Sequence, residues 1–512
     1  MSVSFGGGRH PAELSAADQP LRRRDLSRDV PAPRLILRAY AVGAAVGVGA
    51  AGGVDPLAGV AALAVAAFGA LAIYRTDIAA LTLVALVPIL SGVHRGLPVP
   101  GFRPTELLIG VTSALILLAA DRRRRVPWRT FDWLALAYVI ATAALGSFDL
   151  IERGAGFSWD SVGKMAGPLQ FFLLYRAVAV ALPTWEDRRR ALQLVLLASV
   201  PVALLTLLQQ FGLLGVRDLM VDLTGTDIYT AQLGAGETPR ATGPFPHWHQ
   251  LGGYLLLVIL LGIGLQLLAR NRVLPKWAII SILAVDAAAL VQTVTIAAIF
   301  GAIGGTILLG YWMHRLRPVV NGLLIAAALA VVFASPVIAQ RFEQQWVKAP
   351  GDATSPLVPN TLDYRWQVWS EEYFPALKGH WLTGYGPDPP PGLRFGFSES
   401  LYIELILRGG LILLAMYAAM TVALWGFARR AMLSEALEPE ERVVASVLAA
   451  TLILLLLIHV IEPYFLDSGP PHVLWSLAGL VAASAAGARG ALRVRSRREG
   501  LVASSRLGYG ET

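Results

Sequence analysis

Arg188-Arg-Arg-Ala-Leu-Gln-Leu-Val-Leu-Leu-Ala-Ser-Val-Pro-Val-Ala-Leu-Leu-Thr-Leu-Leu-Gln-Gln-Phe211 decides the class of this chain. Three arginines lead into an apolar run at 191–211, long enough to cross about 30 Å of hydrocarbon as a helix. A helix satisfies its backbone hydrogen bonds internally, which is the condition for lying in lipid. Hydropathy predicts further spans at 36–53, 56–74, 78–93, 105–120, 131–148, 163–182, 251–269, 277–294, 296–312, 319–338, 401–427, 443–462 and 472–488. Composition agrees: 55% of residues are hydrophobic and 15% charged, where a soluble domain carries about 25% charged residues. The expected fold class is an all-α polytopic integral membrane protein with about fourteen transmembrane helices.

The charge pattern orients it. A net charge of +8 raises the question of nucleic acid, but the basic residues sit between hydrophobic runs, as in cytoplasmic loops, so no nucleic-acid partner is expected. The rich connections are Arg122 to Arg125 with Arg129, Arg188 to Arg190, and Arg270, Arg272 and Lys276. They continue with His314, Arg315 and Arg317, then Arg429, Arg430 and Arg442, and the tail from Arg489 to Arg498. All fall on the side of the N-terminal tail. Connections 94–104, 149–162, 212–250, 339–400 and 463–471 then face outward across the cytoplasmic (inner) membrane, with both termini cytoplasmic.

The expected organisation is therefore a disordered cytoplasmic tail over 1–34 and transmembrane helices over 35–338 with an outer loop at 212–250. A large extracytoplasmic loop at 339–400, further transmembrane helices over 401–488 and a basic cytoplasmic tail over 489–512 complete it. Cys is absent, which excludes disulfides and thiolate metal sites. The first apolar run is long and lacks a processing site, so no cleavable signal peptide is expected. No internal repeat recurs at a fixed period.

The polar island from Ala339 to Glu404 interrupts this apolar chain without obvious secondary structure. A loop of that length is functional or disordered, and its Trp and Tyr content favours packing. It contains Thr361-Leu-Asp-Tyr-Arg365-Trp-Gln-Val-Trp369, then Gly384-Tyr-Gly-Pro387, then Ser398-Glu-Ser-Leu-Tyr-Ile-Glu-Leu-Ile-Leu-Arg-Gly-Gly-Leu411. The earlier outer loop ends Arg240-Ala-Thr-Gly-Pro-Phe-Pro-His-Trp-His-Gln-Leu-Gly-Gly-Tyr254, where glycine and proline force a turn before a helix. Arg240 sits where a guanidinium and a helix N-terminus both face an anion. His247 and His249 suggest metal only if other ligands converge, and otherwise read as interfacial residues beside Trp248. No clustered Asp pair or His set reads as a metal site, and no cofactor is implied.

These stretches resemble the O-antigen ligase and polymerase group of integral-membrane glycosyltransferases. An Arg–Gly–Phe–Asn–Tyr pattern of that group appears here as Arg240, Gly243, Phe245, His249 and Tyr254. An Arg with Trp four residues on and a Gly-x-Gly turn appears as Arg365, Trp369, Gly384 and Gly386. A His-Asn-x-Tyr-Leu element leading to a Gly appears as Glu399-Ser400 before Tyr402, Ile403 and Gly410. The resemblance covers Arg240 to Leu411. Glu399 replaces the His of ligases, which leans toward a polymerase or other glycan transferase, and Thr295-Ile296 stands where the group often has Ser-Arg.

The resemblance implies a C-type glycosyltransferase-like architecture. Its donor would be a polyprenyl-pyrophosphate-linked oligosaccharide and its acceptor a glycan or lipid-glycan, with membrane lipids around it. Arg240 and Arg365 would clamp the pyrophosphate and Glu399 would be the general base. Each has a simpler alternative: both arginines as headgroup-facing side chains, Glu399 as the cap of the helix beginning near Ser400. Glu404 is the reserve base on the same face, and Arg408 either contacts substrate or pairs with Glu404. Trp366, Trp369 and Trp381 either stack on sugars or sit in an interfacial belt. Asp286, inside a span, needs a partner or a polar cavity. The competing reading is a multi-pass transporter or flippase of an amphipathic or lipid-linked substrate, whose polar site belongs near the bilayer midplane.

The orientation is testable in this Cys-free chain. Cysteines introduced at Asp352 and Thr224 are expected to react with an impermeant thiol reagent on intact cells, and one at Ser434 is not. Labelling at Ser434 in unbroken cells overturns the assignment.

Overall fold

The computed structural model describes residues 34–54, 56–95, 103–120, 126–154, 156–234, 239–346, 359–388, 390, 392–393, 398–466 and 468–507. The tail expected before Arg34, residues 347–358 and 394–397 of the large loop, and the last five residues lie outside them. All regular structure among the described residues is helical. The first half of the chain forms α1 (Arg34–Val54), α2 (Pro56–Tyr74), α3 (Thr76–Leu90), α4 (Pro104–Ala119), α5 (Thr130–Glu152), α6 (Trp159–Ala181) and α7 (Trp185–Phe211). Two short helices, α8 (Val216–Thr224) and α9 (Ile228–Gly234), lead to α10 (Trp248–Gln266), α11 (Lys276–Thr293), α12 (Ile296–Trp312) and α13 (Leu316–Trp346). Then come α14 (Asn360–Val368), α15 (Phe374–Ala376), α16 (Leu401–Met432), α17 (Pro439–Ile458) and α18 (Pro470–Leu507).

Each expected apolar run falls largely on one of these helices. Seven helical stretches, α5, α7, α10, α11, α16, α17 and Pro470–Arg489 of α18, are long and apolar enough to cross a membrane. Residues 489–507, expected as a tail, continue α18 as helix.

Local chemistry sets where the helices begin. Ser158 accepts the Ser161 N–H at 3.0 Å to start α6, and Thr184 accepts the Asp187 N–H at 3.2 Å to start α7. Glu106 and Asp132 reach back to the main-chain N–H groups of Arg103 and Arg129 at 3.0 and 2.7 Å. The core forms around α10, whose residues from Leu251 to Leu261 are all buried and apolar apart from Gly252, Gly253 and Tyr254. A helix apolar on every face belongs inside, and α10 packs against α7, α11, α12, α17 and α18.

The connections sort to two ends of the bundle. At one end Arg188 meets Glu441 at 2.6 Å, Arg272 meets Glu438 and Glu440 at 2.6 and 3.0 Å, and Arg176 meets Asp132 at 2.8 Å. Arg189 also donates to the Arg272 carbonyl at 3.1 Å, so basic connections expected on one side do meet. At the other end Arg95 pairs with Asp160, the His94 N–H donates to the Leu223 carbonyl, and Arg153 donates to the Tyr385 carbonyl.

The polar island differs from its expected form, because it contains helix. α14 follows Pro359, widens into a single π turn at Trp369–Tyr373 and passes into α15. The Val368, Tyr373 and Leu377 side chains bury against Ile403 and Leu407 of α16, which supplies the apolar surface that a short helix needs.

α16 breaks at Gly409 (φ −161°, ψ 20°) and Gly410 (φ 65°, ψ −165°). The loop takes up the freed backbone: Leu411 N–H donates to the Trp381 carbonyl at 2.8 Å, and Tyr385 N–H donates to the Leu407 carbonyl at 2.5 Å. A Cβ at Gly410 would collide with the Leu382 carbonyl, in a left-handed conformation that favours glycine. Gly410→Ala is therefore expected to destabilise by more than about 1 kcal/mol, read as a lowered Tm of the purified protein in detergent. Gly110→Ala, at a helical site with open space around the added methyl, is expected to hold or raise Tm. Equal Tm values for the two variants contradict the packing described.

Candidate functional site

α14 turns Arg365 inward. Its Nη2 lies 2.6 Å from Glu399 Oε2 and 3.8 Å from Glu462 Oε1, and its Nε is buried with no hydrogen-bond partner among the described residues. From the start of α10, His249 Nδ1 comes within 3.9 Å of Glu462 Oε2. One guanidinium thus faces two carboxylates, with an imidazole at the second.

Glu399 occupies an unusual place. Its φ of 52° is left-handed for a residue with a side chain, and such strain persists only where surroundings over-determine it. The residues around it do so. The Trp369 indole N–H donates to the Ser398 carbonyl at 2.8 Å, and the Leu401 N–H donates to the His459 carbonyl at 2.9 Å. The Ser398 hydroxyl is directed at the Ser400 carbonyl (3.0 Å) and Glu404 Oε2 (3.3 Å). The Glu399 side chain remains 43% exposed, accessible to an incoming hydroxyl.

Glu404 in turn pairs with Arg408, whose Nη2 lies 2.8 Å from Glu404 Oε1. Burial, and then the Glu404 charge, hold the neighbouring Tyr373 hydroxyl well above its usual range. Arg408 also lines a cavity of about 250 Å³ whose wall carries Arg95, Arg103 and Lys164.

The earlier outer stretch supplies His249 to the cluster. The Gln209 side-chain oxygen accepts the Thr242 and Gly243 N–H groups at 3.0 and 2.9 Å, fixing the turn before α10. The Arg240 guanidinium lies 4.6 Å over the Trp248 ring. His247 packs between Trp248 and His249, with ring centroids 3.8 and 4.1 Å away. Burial pushes its pKa down to about 2, with His249 and Arg240 adding to the effect, so this imidazole is neutral.

The structure therefore brings Arg365, Glu399 and His249 together and joins Glu404 to Arg408. Arg240 stands over Trp248, whose ring packs on His247. Trp366 is exposed and forms a row with Phe374 and Trp381, at centroid distances of 6.4 and 6.2 Å. Asp286 lies elsewhere, buried between α11 and α7, where it accepts the Ser199 hydroxyl at 2.8 Å. Among the described residues no group of three or more His, Asp or Glu is placed to hold a metal ion.

Sequence reasoning missed Glu462, Arg95, Arg103, Lys164 and His472. Signals existed: Glu462 ends an apolar run, Lys164 sits inside an expected span, and Arg95 and Arg103 are cations in a connection assigned to the outer face. No protein-family model matches the chain, and no curated protein matches it.

Proposed function

We propose that the chain is an inner-membrane glycosyltransferase similar to the O-antigen ligase and polymerase group. It polymerises or ligates polyprenyl-pyrophosphate-linked oligosaccharide onto a glycan or lipid-glycan acceptor at the outer face. The observation that carries the reading is Arg365 held between Glu399 and Glu462, beside a cation-lined cavity at one end of a bundle of apolar helices. An acceptor hydroxyl attacks the anomeric carbon, the bond to the pyrophosphate oxygen breaks, and the hydroxyl proton passes to Glu399. The pyrophosphate leaves on its lipid, its charge met by fixed cations. Because Arg365 reaches Glu462 as well, the guanidinium has a second carboxylate to rest on when Glu399 takes the proton.

The cavity's place favours transfer over transport. Its charged wall lies toward the bundle end, with Arg103 and Glu106 at the start of α4 and Asp160 and Lys164 in the first two turns of α6, where a transporter would hold its polar site near the midplane. The lining continues along α6 to Phe171.

Single-turnover transfer by the purified chain, with a defined lipid-linked oligosaccharide, tests the reading. Glu399→Gln is expected to lower the rate by about 100-fold to 10,000-fold, as loss of a general base does. Arg365→Lys keeps the charge but loses the fork, and is expected to lower activity clearly at normal membrane levels. A Glu399→Gln rate above about a tenth of wild type removes the base assignment. Movement of the donor across proteoliposomes without any transfer replaces the reading with transport.

A further inference from the structure

The cavity behind Arg408 has a wall built for an anion. Helices α4, α6 and α18 contribute residues from their first turns, α6 lines the cavity on to Phe171, and Arg408 stands at the break in α16. Helix N-termini each present about half a positive charge and unsatisfied N–H groups. Arg95, Arg103, Lys164 and Arg408 add four cations to the wall, against the carboxylates of Glu106 and Asp160. Arg95 is held by Glu106 and Asp160, each at 2.8 Å, and Lys164 by Asp160 at 2.7 Å with Asp388 at 4.0 Å. Arg408 is held by Glu404, and Arg103 donates to the Ser468 hydroxyl. These partners fix where the cations stand. Gly163 belongs to the same design, since a Cβ there would sit 2.9 Å from the Arg95 guanidinium carbon.

Two donors in this wall have no acceptor among the described residues. His472 is 3% exposed, and its Nδ1 accepts the Gly469 N–H at 3.2 Å, which leaves the proton on Nε2. Among the described residues that Nε2 makes no hydrogen bond, and neither does the buried Nε of Arg95. A buried donor without a partner costs its full desolvation, so both are placed for an acceptor that enters the cavity. Gln170 Oε1, also unpartnered, suits a protonated phosphate oxygen or a hydroxyl on the attached group.

We propose that this cavity is a phosphate-binding site of the diphosphate class, with His472, Arg95, Lys164 and Arg408 as its ligands. The choice of diphosphate rests on the transfer reading, while the test below reads binding alone. Arg408 pairs with Glu404, whose other oxygen accepts the hydroxyl of Ser398, the residue before Glu399.

Calorimetric titration of the purified full chain in nanodiscs tests it, with inorganic phosphate, inorganic diphosphate and farnesyl diphosphate as probes. At least one diphosphate is expected to bind, and His472→Phe and Lys164→Gln are each expected to weaken it about tenfold or more. Farnesyl diphosphate binding well above inorganic diphosphate identifies a lipid-linked ligand, and equal affinities identify a free anion. Both support the site. If His472→Phe fails to fold, judged by Tm, Lys164→Gln carries the test. Binding by none of the three probes, or binding unaltered in every folded variant, overturns the proposal. A wild-type chain that binds diphosphate yet transfers nothing sinks the transfer reading and leaves this site standing.

Discussion

Between Arg408 and Leu411 the α16 backbone leaves its helix, and main-chain groups there need partners that the helix no longer supplies. Each unmet N–H or C=O in an apolar surrounding costs several kcal/mol, roughly, so a broken helix survives only where protein closes over the break. Here the closing piece is the loop from Trp381 to Tyr385, whose carbonyl and amide groups pair with Leu411 and Leu407. That pairing seats the loop. Tyr385 is then held a second way by its hydroxyl on the Ala376 carbonyl and a third by Arg153 of the α5–α6 connection. With the loop seated, α14 lies against the first turns of α16, and Arg365 arrives at Glu399.

The two ends of the bundle use charge differently. At the basic end Arg176 meets Asp132 and Arg188 meets Glu441 with almost no solvent exposure, and further acceptors meet the guanidinium protons. Fully matched buried pairs of this kind lock register between helices and leave nothing for a ligand. At the loop end Arg95, Lys164 and Arg408 keep 20–29% of their side-chain surface. Donors such as His472 Nε2 are left over there. Spare donors also occur at the basic end, where Arg129 Nε and Nη1 and Arg442 Nε have no partner among the described residues; what the loop end adds is a cavity in front of them.

Much of the fold was legible because hydropathy is a local property: a run such as 191–211 declares its environment without reference to any other part of the chain. Even α6, which carries Asp160, Lys164 and Arg176, was read correctly as helix at 163–182. The site was legible in part. Arg365, Glu399 and His249 belong to motifs, and Glu404 with Arg408 follows from helical spacing. Glu462, Arg95, Arg103 and His472 come from other connections, and nothing in local spacing says that the α3–α4, α5–α6 and α17–α18 turns meet one another. The helix inside the polar island was hidden for a related reason, since its apolar residues are few and bury only against α16.

Arg408 of the cavity wall pairs with Glu404, which accepts the buried Ser398 hydroxyl, and Glu399 follows in the chain to meet Arg365, itself 3.8 Å from Glu462. The proposal that these groups form a single transfer site is tested most directly by a cryo-electron microscopy structure of the full chain with a polyprenyl-diphosphate-linked sugar bound. The predicted result is the diphosphate among Lys164, Arg95 and His472, with the sugar's anomeric carbon turned toward Glu399. A ligand seated between helices at mid-bilayer, with the cavity empty, contradicts it.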